Sequence, residues 1–287
     1  MAKEDVVRRL EALAYQQRVK LITLCGTYAG PVHIGGDMSM TDVLVALYHY
    51  GMNVDPKDIS MPDRDRFVLS KGHAAVCMYI SMALRGFFDF EEILRTYNEV
   101  DTAFGMHPCK VHLPGVECSS GSLGQGLSMA VGMALMARQQ KAGHRVFCLL
   151  GDGETCEGSV WEAAMYAGSA RLGNMVVVVD RNRQFMSSFS DEGTGMHLEP
   201  YADKWRAFGW DTVEIDGHDM RAIVDTLDNL PPSSGDKPVA IIADTIKGKG
   251  LSFMEKNIGW HAGKLDKAQM KSALAELKAS YEGSLKQ

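Results

Sequence analysis

The sequence predicts an α/β fold, in which helices cover both faces of a doubly wound, mostly parallel sheet. Two observations support this. Short apolar runs rich in β-branched residues are typical of buried strands, and they alternate along the chain with segments that have helical spacing. A strand, a helix and a second strand in this order form a parallel crossover unit. Residues 1–287 are predicted to form one domain with peripheral helices at both ends.

The first half of the chain is predicted to be mainly helical. Ser39 or Thr41 is the predicted N-cap of the second helix. The connection at 100–126 is long, and connections of this length in a compact domain are usually functional. The predicted elements are a helix at 4–26, a Gly-rich turn at 29–37, a helix ending near 50, a strand at 67–69, a helix at 74–85 and the long connection at 100–126.

The second half repeats the order strand, helix, strand, which supports the parallel sheet. The C-terminal helix is charged and predicted to be peripheral. The elements are helices at 126–141, 157–172, 202–208, 221–229 and 267–282, and strands at 145–150, 175–179, 212–215 and 238–243.

Polar residues follow two neighbouring strands of this sheet. Gly151-Asp152-Gly153-Glu154 comes after the strand at 145–150, and Asp180-Arg181-Asn182 comes after the strand at 175–179. Ligands bind beyond the carboxyl ends of parallel strands, so Asp152 and Asn182 are expected at one site. Hard oxygen ligands suit Mg²⁺ or Ca²⁺ shared with a phosphate, and flanking glycines let backbone N–H groups approach phosphate oxygens. The pattern predicts a divalent metal holding a diphosphate.

Two alternatives to this metal site have less support. Gly-Asp-Gly alone is a common turn, but the asparagine after the next strand favours a cofactor site. A dinucleotide-binding loop would need a third glycine where Cys156 stands, and the chain contains no GxxxxGK[ST] sequence.

Composition excludes several classes of protein. Hydrophobic residues make up 46% of the 287 residues and charged residues 23%, as in ordinary globular enzymes. A net charge of −6 disfavours a nucleic-acid partner, and no apolar run is long enough to span a membrane. The N-terminus has an amphipathic helical pattern rather than that of a signal peptide. Six scattered cysteines without a C-x-x-C pair predict reduced thiols and a cytoplasmic protein.

Four of the nine histidines lie in turns or at helix starts beside glycine or proline. Imidazole suits hydrogen bonding to sugar hydroxyls and proton transfer near neutral pH. A single histidine in a turn is more often a solvated residue, and no two of these have the spacing of metal ligands. The four are His33, His73, His107 and His261.

Three further polar residues have weaker support. His218 lies at a strand end but is assigned no catalytic role. Lys247 and Lys249 could attract an anionic ligand, or form a solvated basic turn.

Between about residues 10 and 265, the chain resembles the N-terminal, diphosphate-binding half of transketolases. Several blocks in the family's order are far more specific than any single motif. The blocks are HIGGDMSMTDVLVALY, DRFVLSKGHA, GVECSSGSLGQGLSMAVGMALMAR, GDGETCEGSVWEAA, DRN, YADKWRAFGWDTVEIDGHD, and ADTIKGKGLSFME followed by WHAGK.

The resemblance implies thiamine diphosphate and Mg²⁺ as cofactors, with Ca²⁺ or Mn²⁺ as substitutes. It implies that Asp152, Asn182 and the backbone carbonyl of Gln184 are the metal ligands, and that Glu157 communicates between two active sites. The resemblance implies that the N–H of Gly153 contacts the diphosphate, and that His73 and His261 contact the diphosphate or nearby cofactor atoms. Gly121 and Leu123 are implied to support the aminopyrimidine and the bent cofactor. The implied catalytic residues are His33, His73, His107 and His261, and His33, His107 and His261 are implied to line the substrate channel.

The resemblance also implies a partner. The glutamate that activates the cofactor belongs to the pyrimidine-binding half of transketolases, which is not in these 287 residues. The chain resembles the first subunit of split transketolases, which implies two copies each of this chain and a C-terminal, pyrimidine-binding subunit. The implied reaction moves a two-carbon ketol unit from a ketose or ketose phosphate to an aldose.

Two other functions remain open. One is a different thiamine-dependent subunit, similar to deoxyxylulose-phosphate synthase or to the E1 component of keto-acid dehydrogenases. The other is a non-catalytic cofactor-binding subunit. The block at 205–210 and the four histidines favour transketolase, and intact Asp152 and Asn182 argue against a non-catalytic subunit.

The chain departs from the family pattern at two places. The segment at 30–35 reads GPVHIG where the family usually has Gly-His-Pro-Gly, and the segment at 183–189 replaces a small polar segment that ends in Asp-Gly. The implied metal contact in the second segment is a backbone one, so cofactor binding is expected to survive. Loop packing and substrate choice are expected to differ.

Overall fold

A single parallel sheet organises the computed structural model, which describes residues 2–193 and 195–285. Its strands are β1 (Arg66–Leu69), β2 (Val146–Gly151), β3 (Met175–Arg181), β4 (Asp211–Asp216) and β5 (Val239–Asp244). They lie in the order β1-β2-β3-β5-β4, and every neighbouring pair is parallel. The predicted α/β fold class is therefore confirmed.

Helices connect the strands and cover both faces of the sheet. Among the described residues, no helix combines the length and hydrophobicity needed to cross a membrane. The helices are α1 (Lys3–Thr27), α2 (Ile34–Ser39), α3 (Thr41–Ala46), α4 (Ala75–Arg85), α5 (Phe90–Thr96), α6 (Gly126–Gln139), α7 (Gly158–Ser169), α8 (Tyr201–Ala207), α9 (Met220–Asp228) and α10 (Lys267–Ser284).

Two hydrophobic cores lie on opposite faces of the sheet. Alternate residues of a strand point to opposite faces, so Val176 and Val178 of β3 face one core while Val177 and Val179 face the other. The first core includes buried residues of α1, α3, α4 and α9, and the second includes those of α6, α7 and α8. Because β3 is buried on both faces, its sequence is continuously apolar up to Asp180.

The structure corrects the sequence prediction near the N-terminus. The turn predicted at 29–37 already contains the start of α2 at Ile34. Neither Ser39 nor Thr41 caps α3, whose N-cap is Met40 without a side-chain hydrogen bond. The Ser39 hydroxyl donates to the Asp180 carboxylate, and the Thr41 hydroxyl donates to the backbone oxygen of Asp37. Both hydroxyls therefore form other hydrogen bonds instead of capping the helix.

Two further helices, α5 and α10, can be compared with the sequence prediction. Helix α5 was not predicted. It begins after Asp89, whose side chain accepts from the N–H of Glu91. The C-terminal helix α10 packs on α1, where the rings of Tyr15 and Tyr281 stack 4.4 Å apart. The assignment of residues 1–287 to one domain stays a prediction, and residues 1, 194, 286 and 287 lie outside the described part.

Candidate active site

A cavity of about 370 Å³ lies at the carboxyl end of β2 and β3. The pairing of Gly151 with Asp180 places the residues that follow these strands side by side. All the predicted site residues except His107 line it. The lining consists of His33, Gly36, Lys71, His73, Gly121, Leu123, Gly151, Asp152, Gly153, Glu154, Asn182, Gln184, Phe185, Met186, Lys247 and His261.

The Asp152 carboxylate is only 1% exposed and is held by several donors. Its Oδ1 accepts from the N–H of Gly153 at 2.8 Å. Its Oδ2 accepts from Arg181 Nη1 at 2.8 Å and from the N–H of Arg183 at 2.7 Å. Burial raises the pKa of Asp152, and the Arg181 guanidinium opposes that rise. The carboxylate therefore has a fixed orientation beside the cavity.

Asn182 and Gln184 supply the other predicted oxygen ligands. The Asn182 Nδ2 donates to Asp180 Oδ2 at 2.9 Å, and since a carboxylate only accepts, this contact determines which end of the amide is oxygen. The Asn182 Oδ1 accepts from the N–H of Gln184 at 3.1 Å. The donor set of carboxylate, amide oxygen and backbone carbonyl fits Mg²⁺, which prefers oxygen and usually shares its coordination with phosphate and water.

No three His, Cys, Asp or Glu side chains converge as a metal site anywhere in residues 2–193 and 195–285. A divalent ion at Asp152 would thus need oxygens from a bound ligand to complete its coordination.

Gly153 faces the ring of Phe185, a residue of the unusual segment at 183–189. A Cβ at Gly153 would come within 2.6 Å of the Phe185 ring, so only glycine fits while that ring stays in place. The segment therefore packs directly against the site.

Two buried lysines line the cavity. Lys71 is 2% exposed, and its Nζ donates to Asp180 Oδ2 at 2.5 Å and to the backbone oxygen of Gly36 at 3.0 Å. The Lys247 Nζ donates to the carbonyl of Gln184 at 3.0 Å and lies 2.8 Å from His261 Nδ1. Burial, with Lys71 nearby, lowers the pKa of Lys247 to about 8. Lys247 was predicted as a candidate for attracting an anionic ligand, whereas Lys71 was not predicted.

Asp180 balances the charge of Lys71. Its Oδ2 accepts from Ser39 Oγ at 2.6 Å and its Oδ1 from Thr245 Oγ1 at 2.5 Å. Burial disfavours the charged carboxylate, but Lys71 and these hydroxyls hold the pKa of Asp180 below its usual range. Asp180 therefore joins the buried ammonium to the Asn182 amide.

Three of the four predicted histidines form a cluster. The ring centroids of His33, His73 and His261 are 5.3 to 5.8 Å apart. His107 lies beside them and packs on Gly121, where a Cβ would come within 3.1 Å of the imidazole. The long connection thus brings His107 to the edge of the cavity rather than into its lining.

We expect His73 and His261 to remain neutral from pH 5 to 8 in the cofactor-free protein. Burial and the Lys247 ammonium lower the pKa of His261 to about 4, and burial and Lys71 lower the pKa of His73 further, because both effects disfavour imidazolium. NMR titration of ¹⁵N-labelled imidazoles would test this, with the urea-unfolded chain as control, where histidines titrate near about 6.5. Folded-state midpoints near the control value would contradict it.

His218 has a structural role in this structure. Its Nδ1 lies 2.8 Å from Asp42 Oδ2, and its Nε2 accepts from the N–H of Ile246 at 2.9 Å. Both ring nitrogens are therefore engaged in contacts within the protein, as expected of a residue without a catalytic role.

A larger cleft of about 710 Å³ lies beside the site, beyond the carboxyl ends of β3, β4 and β5. Several of its charged side chains form ion pairs with one another, including Arg183 with Asp244 and Arg181 with Glu199. Asn182 is its only residue in common with the predicted site residues. We therefore place the candidate active site in the smaller cavity, where the predicted residues converge.

Comparison with known proteins identifies the family of the chain. The family model described as "Transketolase, thiamine diphosphate binding domain" matches residues 18–282. The 6-deoxy-6-sulfo-D-fructose transketolase subunit SqwG of Clostridium sp. (strain MSTE9) is 42% identical, covering 86% of this chain and 89% of that protein. An apulose-4-phosphate transketolase subunit of Phocaeicola vulgatus is 39% identical, covering 96% of both.

Solved structures extend the comparison. The transketolase of Campylobacter jejuni superposes with a TM-score of 0.85 at 28% identity, covering 94% of this chain but 43% of that one. The chain thus spans less than half of that transketolase. By sequence and by structure, this chain belongs to the transketolase family and carries its thiamine diphosphate binding domain.

Proposed function

We propose that this chain holds the diphosphate of thiamine diphosphate through a divalent ion, Mg²⁺ or in its place Ca²⁺ or Mn²⁺, bound by Asp152, Asn182 and the Gln184 carbonyl. One observation carries the proposal: these three residues line the same cavity as two buried lysines, Lys71 and Lys247. Hard oxygen ligands beside buried ammonium groups suit a metal shared with an anionic phosphate group.

The other residues of the cavity have roles that follow from their positions. The N–H of Gly153 would donate to the diphosphate. Lys247 lies against the Gln184 carbonyl, so a metal at that carbonyl would repel the ammonium toward the phosphate oxygens. Gly121 and Leu123 would support the ring end of the cofactor.

The histidines would serve the substrate. Neutral rings at His33, His73 and His261 would hydrogen-bond sugar hydroxyls and pass protons, with His107 at the edge. The bound cofactor supplies a thiazolium that stores the electrons of a broken C–C bond.

We further propose that activity needs a second subunit with the pyrimidine-binding half, in an assembly of two copies of each chain. Support comes from the relatives named as transketolase subunits, which this chain matches over 89% and 96% of their length. The name of one relative refers to a sulfonated sugar and that of the other to a phosphorylated sugar. We therefore propose a ketose donor with a terminal anionic group and an aldose acceptor.

The cysteines of the described residues are all free, which supports a location in the reducing cytoplasm.

The test is native mass spectrometry of the protein purified gently from its source. We expect a second chain of similar size, a mass equal to two copies of each, and ketol transfer only when both chains are present. Ketol transfer by this chain alone would contradict the proposed division of labour. A chain that binds thiamine diphosphate but remains inactive with the subunit carrying the pyrimidine-binding half would favour a non-catalytic role.

A further inference from the structure

Glu154 is a buried carboxylate that the sequence analysis assigned no role. It lies in the turn after Asp152 and is 3% exposed. Its Oε1 accepts from Ser70 Oγ at 2.5 Å and from the N–H of Gly124 at 2.9 Å. Its Oε2 accepts from the N–H of Gly151 at 3.2 Å. One carboxylate therefore receives three hydrogen bonds.

The three donors belong to three segments of the cavity wall. Ser70 directly follows β1 and precedes Lys71. Gly124 directly follows Leu123 in the long connection that leads to α6. Gly151 ends β2. Glu154 thus joins the wall that carries the buried lysine, the wall predicted to support the cofactor rings, and the strand that carries the metal ligand.

These segments depend on Glu154 to different degrees. Gly151 is also held by its pairing with Asp180 in the sheet, and Asp152 has its own donors in Arg181 and in the N–H of Arg183. The metal end of the site therefore has independent support.

The turn at 121–124 has less support of its own. It lies outside the strands and helices, and Gly124 has a positive φ of 81°. Apart from the bond to Glu154, the described residues give it one side-chain hydrogen bond, in which Ser159 Oγ donates to the Gly124 carbonyl at 3.0 Å. His107 packs against Gly121 without a hydrogen bond. Loss of Glu154 should therefore disturb this turn more than the metal end.

We propose that Glu154 is a positioning residue that holds Gly121 and Leu123 in place for the ring end of thiamine diphosphate. This inference rests on the proposed function. It separates the site into a diphosphate end, fixed by the sheet and by Arg181, and a ring end, fixed by Glu154.

The test compares two ligands on the full chain with the substitution Glu154→Ala. Alanine removes all three accepted hydrogen bonds, including the one from the N–H of Gly124. We expect the affinity for thiamine diphosphate to fall about tenfold and the affinity for inorganic diphosphate to change less than about threefold. Both are measured by isothermal titration calorimetry in excess magnesium. Glu92→Ala, at an exposed glutamate of α5, is the matched control and should change neither affinity.

A second variant covers the case in which Glu154→Ala does not fold. Ser70→Ala removes one donor to Glu154 and should produce the same selective loss at smaller size. Unchanged binding in both variants, or equal loss of both ligands, would overturn the inference, because a merely structural residue would not discriminate between the ligands. Failure of the proposed function would be visible in the wild-type chain, as binding of inorganic diphosphate without binding of thiamine diphosphate.

Discussion

The substitution Asp152→Ala is expected to abolish magnesium-dependent binding of thiamine diphosphate, with a loss of affinity of at least about 100-fold. Removing a residue that only orients a metal ligand typically lowers metal affinity or activity by about 10–100-fold. Removing the ligand itself should lower the affinity at least as much. Arg181 would keep two carboxylate partners, Asp191 and Glu199, so its charge would not be left unpaired. Equilibrium dialysis with and without magnesium would measure the effect.

The matched control for this variant is Asp236→Asn. Asp236 is an exposed carboxylate in the turn before β5, and among the described residues it forms an ion pair only with the exposed Arg171. The control should bind the cofactor as the wild type does. Unchanged binding in Asp152→Ala would remove the basis for placing the metal at this residue.

The substitution Asp180→Asn is expected to lower the free energy of unfolding by about 3–5 kcal/mol, because it leaves the Lys71 ammonium buried without a charged partner. Both side chains are almost completely buried, at 2% and 1% exposure, so solvent cannot screen the loss. Urea denaturation at neutral pH would measure it.

An exposed ion pair provides the comparison. Asp211→Asn breaks the contact between Asp211 and Lys237, 3.2 Å apart and both largely exposed, and should cost less than about 1 kcal/mol. Similar costs for the two variants would show that Asp180 does not balance a buried charge.

The sequence predicted the sheet because burial on both faces leaves a direct pattern. Met175–Val179 is continuously apolar, and the polar residues that follow it mark the strand's carboxyl end. The same reasoning from sequence placed Asp152 and Asn182 at one site, since the ends of parallel strands share one edge. Local patterns and one topological rule were sufficient for that part of the site.

The buried ionic network could not be predicted in the same way. Lys71 and Asp180 are 109 residues apart, and nothing in either local sequence indicates that they pair. Glu154 was quoted as part of a motif, but its donors at Ser70 and Gly124 lie 84 and 30 residues away. Ser39 was predicted as a cap because its local sequence allowed it, whereas its hydroxyl donates to Asp180. Such contacts follow from tertiary packing.

The most direct test of the metal site is a crystal structure of the full chain with thiamine diphosphate and Mn²⁺, with anomalous scattering used to locate the metal. The account predicts one anomalous peak within about 2–2.5 Å of an Asp152 carboxylate oxygen, Asn182 Oδ1 and the Gln184 carbonyl oxygen. A manganese peak bound elsewhere, with thiamine diphosphate present and these three oxygens not coordinating, would contradict it.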